Sequence, residues 1–331
     1  MQPFHVLVLI VVLSSAAVPA RAKETPSSFT GRPQAMVVIH GVGNQKEGDY
    51  EKFKDMVRAE FEGEVFRLTG IRPAHDALRM KTARWSDITQ KDQELFNQRF
   101  VERYGKGKLP TLRRLMVSMG GDALSYSREK EQLVKDRVKE AVQMVSQKVQ
   151  SVAPTRQGDL TVVAHSWGTV AGSDALWDMT NQRGQPFPQN LRLRHLVTLG
   201  GPLAVVAQRV GLDKLDSPVQ PERWTNIWYE KDFIGHPLGI LGPSYSSIVK
   251  DVPLRSARHY NRFWSPFCRL LSKLPSFGAV SHTMYWRDPR VVRRIAKRMA
   301  RQYTEGMPAR PAKAPLIRRG SRGRPRPAPL P

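Results

Sequence analysis

The run Leu160-Thr-Val-Val-Ala164-His165-Ser166-Trp167-Gly168-Thr-Val carries an apolar strand-like segment directly into a serine, with Ala164 and Gly168 two positions to either side. A serine on a sharp turn between a strand and a helix is the setting of a nucleophile, because such a turn forces unusual backbone angles and admits only small neighbours. The N–H groups and dipole at the start of the following helix then favour an anionic intermediate. A second run, Met36-Val-Val-Ile39-His40-Gly41-Val42-Gly43-Asn44-Gln45, ends a buried strand in a glycine loop. In acyl transfer this loop would supply one oxyanion donor, the N–H of Val42, beside that of Trp167. His40, Gly41 and Gly43 would form the supporting loop, with the His40 ring structural rather than catalytic. A dinucleotide loop is the competing reading, but the G-x-G-x-x-G pattern needs a third glycine where Lys46 stands.

A serine hydroxyl is a poor nucleophile at its own pKa, so a base must take its proton during attack. An imidazole, titrating near 6.5, suits that task, and a carboxylate fixes its tautomer and stabilises the imidazolium. In the chain order Ser, Asp, His, the acid and base must follow residue 166. Asp232 lies 66 residues on, just past the strand-like Thr225 to Tyr229, with Glu230 and Asp251 as alternatives. His282 lies 50 residues after Asp232, on a short loop before the last helix, with His236 and His259 as alternatives. An imidazole base predicts a kcat/KM profile that rises through roughly pH 6 to 7.

These residues need a scaffold, and strand-like and helix-like segments alternate along the chain as in a parallel sheet wrapped by helices. Short apolar strands are predicted at Ala35 to Ile39, Leu78 to Ala83, Leu160 to Ala164, Leu193 to Leu199 and Thr225 to Tyr229. Tyr50, Phe53, Val57 and Phe61 recur at helical spacing, with Asp49 as the expected N-cap. Val134, Val138, Ala141, Val142, Val145 and Val149 mark a second amphipathic helix, and Pro289 to Tyr303 a third, rich in cations. Two intervals, Val42 to Ser166 and Asp232 to His282, are long for such a fold and offer material for a cap or lid, although their apolar residues more simply finish the core. Asp174 is expected to be a buried hydrogen-bond partner between helix and sheet.

Of 331 residues, 53 are Lys or Arg and 29 are Asp or Glu, a net charge of +24. Residues 287–331 hold 14 Lys/Arg against two acids, so half of the excess lies in the last 45 residues. The expected organisation is a cleaved export signal at residues 1–22, a linker at 23–33, a catalytic domain at 34–306 and a disordered Pro/Arg-rich tail at 307–331. The leader's apolar run, Phe4 to Leu13, is short for a membrane span, and the protein is expected to be periplasmic or secreted, or membrane-associated if the leader stays. An anionic membrane surface or another polyanion is the partner expected of the tail, with no specific nucleic acid predicted. The only cysteine, Cys268, rules out an internal disulfide, and no Cys/His cluster suggests a metal; no cofactor is expected.

Together, His40 to Gln45, Trp85-Ser-Asp87, Gly121-Asp122-Ala-Leu-Ser-Tyr126 and the Ala164 to Asp178 stretch resemble the α/β-hydrolase superfamily, over nearly all of residues 34–304. The chain looks most similar to bacterial hydrolases with a His-Gly-x-Gly-Asn-Gln loop, and more distantly to the DDHD serine lipases and phospholipases. It lacks the Asp-Asp-His-Asp string of the latter and has Trp167 where they carry Leu. The resemblance implies an α/β-hydrolase fold with an eight-stranded, mostly parallel sheet, and hydrolysis of carboxylic esters, including lipid or phospholipid esters, at a Ser166-Asp232-His282 triad. An acyltransferase built on the same triad, and a non-catalytic cationic adaptor on a hydrolase scaffold, are the competing readings.

Overall fold

A computed structural model describes residues 31–41, 48–105, 128–208, 219–255 and 281–308. The leader, Val42, Gly43, Gly121 to Tyr126, His259, Cys268 and residues 309–331 lie outside the described residues, as do the apolar Trp264, Phe267, Leu270 and Leu271 of the second lid interval.

Strand β1 (Gln34–Ile39) shows how the sheet is built. Successive side chains of a strand point to opposite faces. Ala35, Val37 and Ile39 enter one hydrophobic core, while Met36 and Val38 enter another. Because both faces are covered, the strand reads as a continuous apolar run rather than an alternating one. The same division holds in β3 (Gly158–His165), where Leu160, Val162 and Ala164 belong to the first core and Val163 to the second.

The remaining strands are β2 (Leu78–Ala83), β4 (Leu191–Leu199), β5 (Trp224–Tyr229) and β6 (Val249–Leu254). All pair in parallel, in the order β2-β1-β3-β4-β5-β6, so the described residues form six strands rather than eight. Strand β6 was not foreseen: its sequence, Val-Lys-Asp-Val-Pro-Leu, contains Pro253, which a strand tolerates at a sheet edge, where β6 lies.

On one face, α1 (Glu51–Thr69) buries Phe53, Val57, Phe61 and Val65 at four-residue spacing against α7 (Pro289–Tyr303). Helix α7 is capped by Asp288, whose carboxylate accepts from the N–H of Arg290, and Pro289 occupies its first turn. Asp49 does not cap α1: the N-cap is Tyr50, without a side-chain cap bond, and the N–H of Glu51 is met by the Gly48 carbonyl. On the other face, α3 (Arg128–Val152) and α4 (Gly168–Thr180) pack together over β1 to β3. The six apolar positions named for the second helix are all buried along α3. Elsewhere along the chain, α2 (Ser86–Tyr104) follows β2, and α5 (Leu203–Ala207) and α6 (Pro243–Ser246) are short turns after β4 and before β6. Of the second lid interval, Ile234, Leu238 and Leu241 are buried, while Phe233 and Ile240 are exposed. Among the described residues no helix is long and apolar enough to cross a membrane.

From β1 the chain goes outward to β2, then returns through α3 to β3 on the other side of β1. This change of direction opens a crevice at the carboxyl ends of β1 and β3, where such sheets hold their ligands.

Candidate active site

At that crevice the sharp turn between β3 and α4 is present. Ser166 has φ 55, one of two non-glycine residues with positive φ among those described. An L residue held in this region costs on the order of 1–3 kcal/mol, which surrounding structure must offset. The Ser166 N–H donates to the Leu199 carbonyl at 3.0 Å, and the Ser166 carbonyl accepts from the Thr169 N–H at 2.9 Å and hydroxyl at 2.8 Å. The neighbour that demands a small residue at 168 is β1 rather than Ala164: a Cβ on Gly168 would lie 2.3 Å from the His40 carbonyl oxygen. A Cβ on Gly41 would lie 2.5 Å from that of Ser166, so the end of β1 and the serine turn touch backbone to backbone.

His282 Nε2 lies 2.8 Å from Ser166 Oγ, and its Nδ1 lies 3.1 and 3.0 Å from Asp232 Oδ1 and Oδ2. An ionised carboxylate only accepts, so Nδ1 carries the imidazole proton and Nε2 is free to accept from the serine hydroxyl. All three side chains are buried, with Ser166 3% exposed, Asp232 4% and His282 5%. Asp232 sits on the turn after β5, where its N–H donates to the Tyr229 carbonyl at 2.9 Å. Burial works against its charge, but hydrogen bonds from His282, the Ile234 N–H and the Tyr285 hydroxyl outweigh this and hold the carboxyl below its usual range.

Of the alternatives named from sequence, His259 lies outside the described residues, and the others are engaged elsewhere or exposed. Asp251 accepts from the Asn226 side chain and from the N–H groups of Leu238 and Gly239, and Glu230 is exposed. His236 Nδ1 meets the Gly235 carbonyl at 2.9 Å. Asp174, expected to bond helix to sheet, has no hydrogen bond among the described residues; burial, with Glu131 adding repulsion, pushes its carboxyl up to about 7.

The His40 ring is wholly buried, stacked on Trp85 at 5.1 Å and Tyr50 at 6.0 Å. Its Nδ1 donates to the Gly41 carbonyl at 2.6 Å, and its Nε2 accepts from the Trp85 N–H at 3.1 Å. Burial draws this imidazole down to about 4, so the ring is neutral. It holds the start of the glycine loop against β2. A cavity of about 240 Å³ lies beside this ring and is lined by Tyr50, Lys81, Asp87 and Arg137, among others; Ser166, Asp232 and His282 are not in its wall. Trp167 is the N-cap of α4, with φ −58 and ψ −27, which sets its backbone at the helix terminus beside the serine. Val42 and Gly43 lie outside the described residues.

An all-parallel sheet, a strained serine between strand and helix, and the chain order Ser, Asp, His make this an α/β-hydrolase fold. No protein-family model and no curated protein matches the chain. Among solved structures, a dienelactone hydrolase from Anabaena variabilis is similar at 12% identity and TM-score 0.36, covering 83% of this chain and 87% of that one. An a/b serine hydrolase without lid from Xanthomonas campestris is similar at 13% identity and TM-score 0.31, covering 77% and 84%.

Two side chains escaped the sequence reading. The Tyr285 hydroxyl donates to Asp232 Oδ2 at 2.7 Å and accepts from the Tyr229 N–H at 2.9 Å. His165 Nε2 donates to the His282 carbonyl at 2.7 Å, and its ring lies 4.7 Å from that of His282. Burial, then repulsion from His282, draws His165 down to about 3, so it is a neutral donor. Both tie the segment carrying His282 to the sheet. The only sequence signal was proximity: one adjoins the serine and the other follows the histidine by three positions.

Proposed function

We propose that this chain is a serine hydrolase that cleaves carboxylic esters through an acyl-serine intermediate. The observation that supports the reading is the unbroken run of hydrogen bonds from the Asp232 carboxylate through His282 to the hydroxyl of Ser166 on a strained turn. In the first step Ser166 Oγ attacks the ester carbonyl and its proton passes to His282 Nε2. The carbonyl oxygen takes the electron pair as an oxyanion, met by the N–H groups of Trp167 and Val42. As the carbonyl reforms, the bond to the alkoxy oxygen breaks and Nε2 returns the proton to the departing alcohol. Water then repeats the sequence on the acyl-serine, releasing the carboxylic acid. Asp232 holds the imidazole in the reactive tautomer throughout and remains ionised. Lipid or phospholipid esters as substrates, and export of the protein, are part of the same proposal.

A fluorophosphonate probe is expected to label wild-type protein at Ser166. Ser166→Ala is expected to lose label entirely and about 10⁴-fold or more in kcat on p-nitrophenyl esters. Full activity in that variant would end the assignment. Graded acyl lengths, with and without anionic vesicles, test the lipid part: equal rates on short and long chains, unmoved by vesicles, leave an esterase without lipid preference.

A further inference from the structure

On the face that carries α7, and toward the amino ends of β4, β5 and β6, lies a second cavity, of about 390 Å³. It is remote from the serine: His195 in its wall pairs with Thr161 of β3, five residues before Ser166, or roughly 16 Å along the strand. The wall holds eight Lys/Arg side chains, His195 and Thr225, and no carboxylate. Arg290 is engaged by Asp288 at 2.7 Å, and Arg293 lies 3.9 Å from Glu60. The other six, Arg223, Lys250, Arg294, Lys297, Arg298 and Arg301, have no carboxylate within ion-pair distance among the described residues, although Glu64 acts on Lys297 and Arg301 from farther off, and Glu305 on Arg298. The contrast with nearby Arg194 is sharp, since that guanidinium is closed by Glu222 and Glu305.

Two buried polar atoms of the wall also lack partners. His195 is 2% exposed; its Nε2 meets the Thr225 hydroxyl at 2.9 Å, while its Nδ1 has no hydrogen-bond partner among the described residues. Burial, then Arg298 and Arg223, draw this imidazole down to about 3, so it is neutral. In the tautomer in which the Thr225 hydroxyl donates to Nε2, the ring proton sits on Nδ1 as an unused donor; in the other, Nδ1 is an unused acceptor. Arg298 Nε is a second such donor. Buried donors without partners and like charges around one concavity both raise the free energy of the empty site, and one ligand would relieve both.

That ligand must bring several negative charges and many acceptor oxygens into a small volume. A carboxylate brings one charge, whereas a phosphoryl group brings up to two, with three oxygens that guanidinium forks engage in pairs. The cations converge from the residue before β5, from β6 and from α7 on a single hollow, which suits a compact ligand rather than a polymer backbone. We propose that this cavity binds the phosphoryl groups of a compact, multiply charged ligand, either free in solution or on a lipid headgroup.

Calorimetric titration of the full chain with pyrophosphate, and co-sedimentation with phosphatidylcholine vesicles containing phosphatidic acid, test the two sources. One arm or both is expected to show saturable binding that weakens about tenfold or more in Arg294→Ala/Lys297→Ala, and separately in Lys250→Ala. Arg322→Ala/Arg324→Ala, in the tail, is expected to bind as wild type does. One pyrophosphate per chain without vesicle binding identifies a soluble ligand; vesicle binding lost with the cavity variants identifies a headgroup. Binding that survives the cavity variants, binding lost with the tail variant, or no binding to either probe overturns the proposal. Thermal melting checks that each variant folds. Ester hydrolysis is expected to be unchanged in all of them, so failure here is distinct from failure of the serine chemistry.

Discussion

At the scale of single residues, the reactivity proposed for Ser166 would depend on atoms that never touch substrate. His282 can accept a proton at Nε2 only if its Nδ1 proton faces Asp232, and Asp232 is itself oriented by the Tyr285 hydroxyl and the Ile234 N–H. In the proposed mechanism Tyr285 is therefore a positioning residue. Removing its hydroxyl in Tyr285→Phe deletes one bond to a charged acceptor, worth about 1.5–3 kcal/mol, and exposes the Asp232 carboxylate to an unmet demand. On an ester that Ser166 cleaves, kcat is expected to fall roughly 10- to 100-fold, with KM nearly unchanged. A purely structural tyrosine would instead lower the melting temperature and leave the kcat of the folded fraction intact.

At the scale of elements, the crevice is made by two backbones in contact. The carbonyl of His40, at the end of β1, occupies the space a side chain at position 168 would need, so α4 can begin close to β1 only with glycine there. Gly168→Ala is expected to push α4 away from β1 and to destabilise the protein by about 3 kcal/mol or more, measured by urea unfolding. Activity is expected to fall further than stability explains, because the same shift moves Ser166 from His282. An unchanged unfolding midpoint would mean that the turn is looser than this contact implies. Hydrophobic periodicity marked α1, α3 and α7, since each buries one stripe. It missed β6, whose edge position accepts proline and exposed polar residues that a central strand refuses.

At the scale of the whole molecule, three buried neutral histidines couple folding to pH. His40 is drawn down to about 4, and His165 and His195 to about 3, in each case chiefly by burial. The unfolded chain binds protons near 6.5 where the folded chain does not, so stability rises with pH from about 3 or 4 to 6.5 and is lost on acidification through that window. At pH 5 each histidine is expected to remove about 2 kcal/mol relative to pH 7.5. The raised carboxyls of Asp174 and Asp159, at about 7 and 6, gain stability over the same interval, so the expected result is a urea midpoint that falls, but by less than the three rings alone would give. An unchanged midpoint would show that acid-side gains elsewhere cancel the three rings. The charge excess acts in the opposite sense with salt: cations on α7 repel one another, and screening or a bound polyanion lowers that cost.

Much of the fold was legible before any coordinates, because it rests on local rules. An apolar run of five to nine residues bounded by turn signals suits a strand covered on both faces, and apolar residues four apart suit one face of a helix. Small residues around a serine announce a tight turn. What distance along the chain conceals is which groups meet. Glu230 and Asp251 stood as alternatives to the favoured Asp232, and His236 and His259 to the favoured His282, because chain order alone does not show which groups meet; the sheet order brings the ends of β3 and β5 to one edge. The roles of Tyr285 and His165, and the convergence of Arg223, Lys250 and the α7 cations on one hollow, belong to the same class. Each joins elements far apart in sequence, and only the parallel pairing of strands fixes how far each side chain stands from the others.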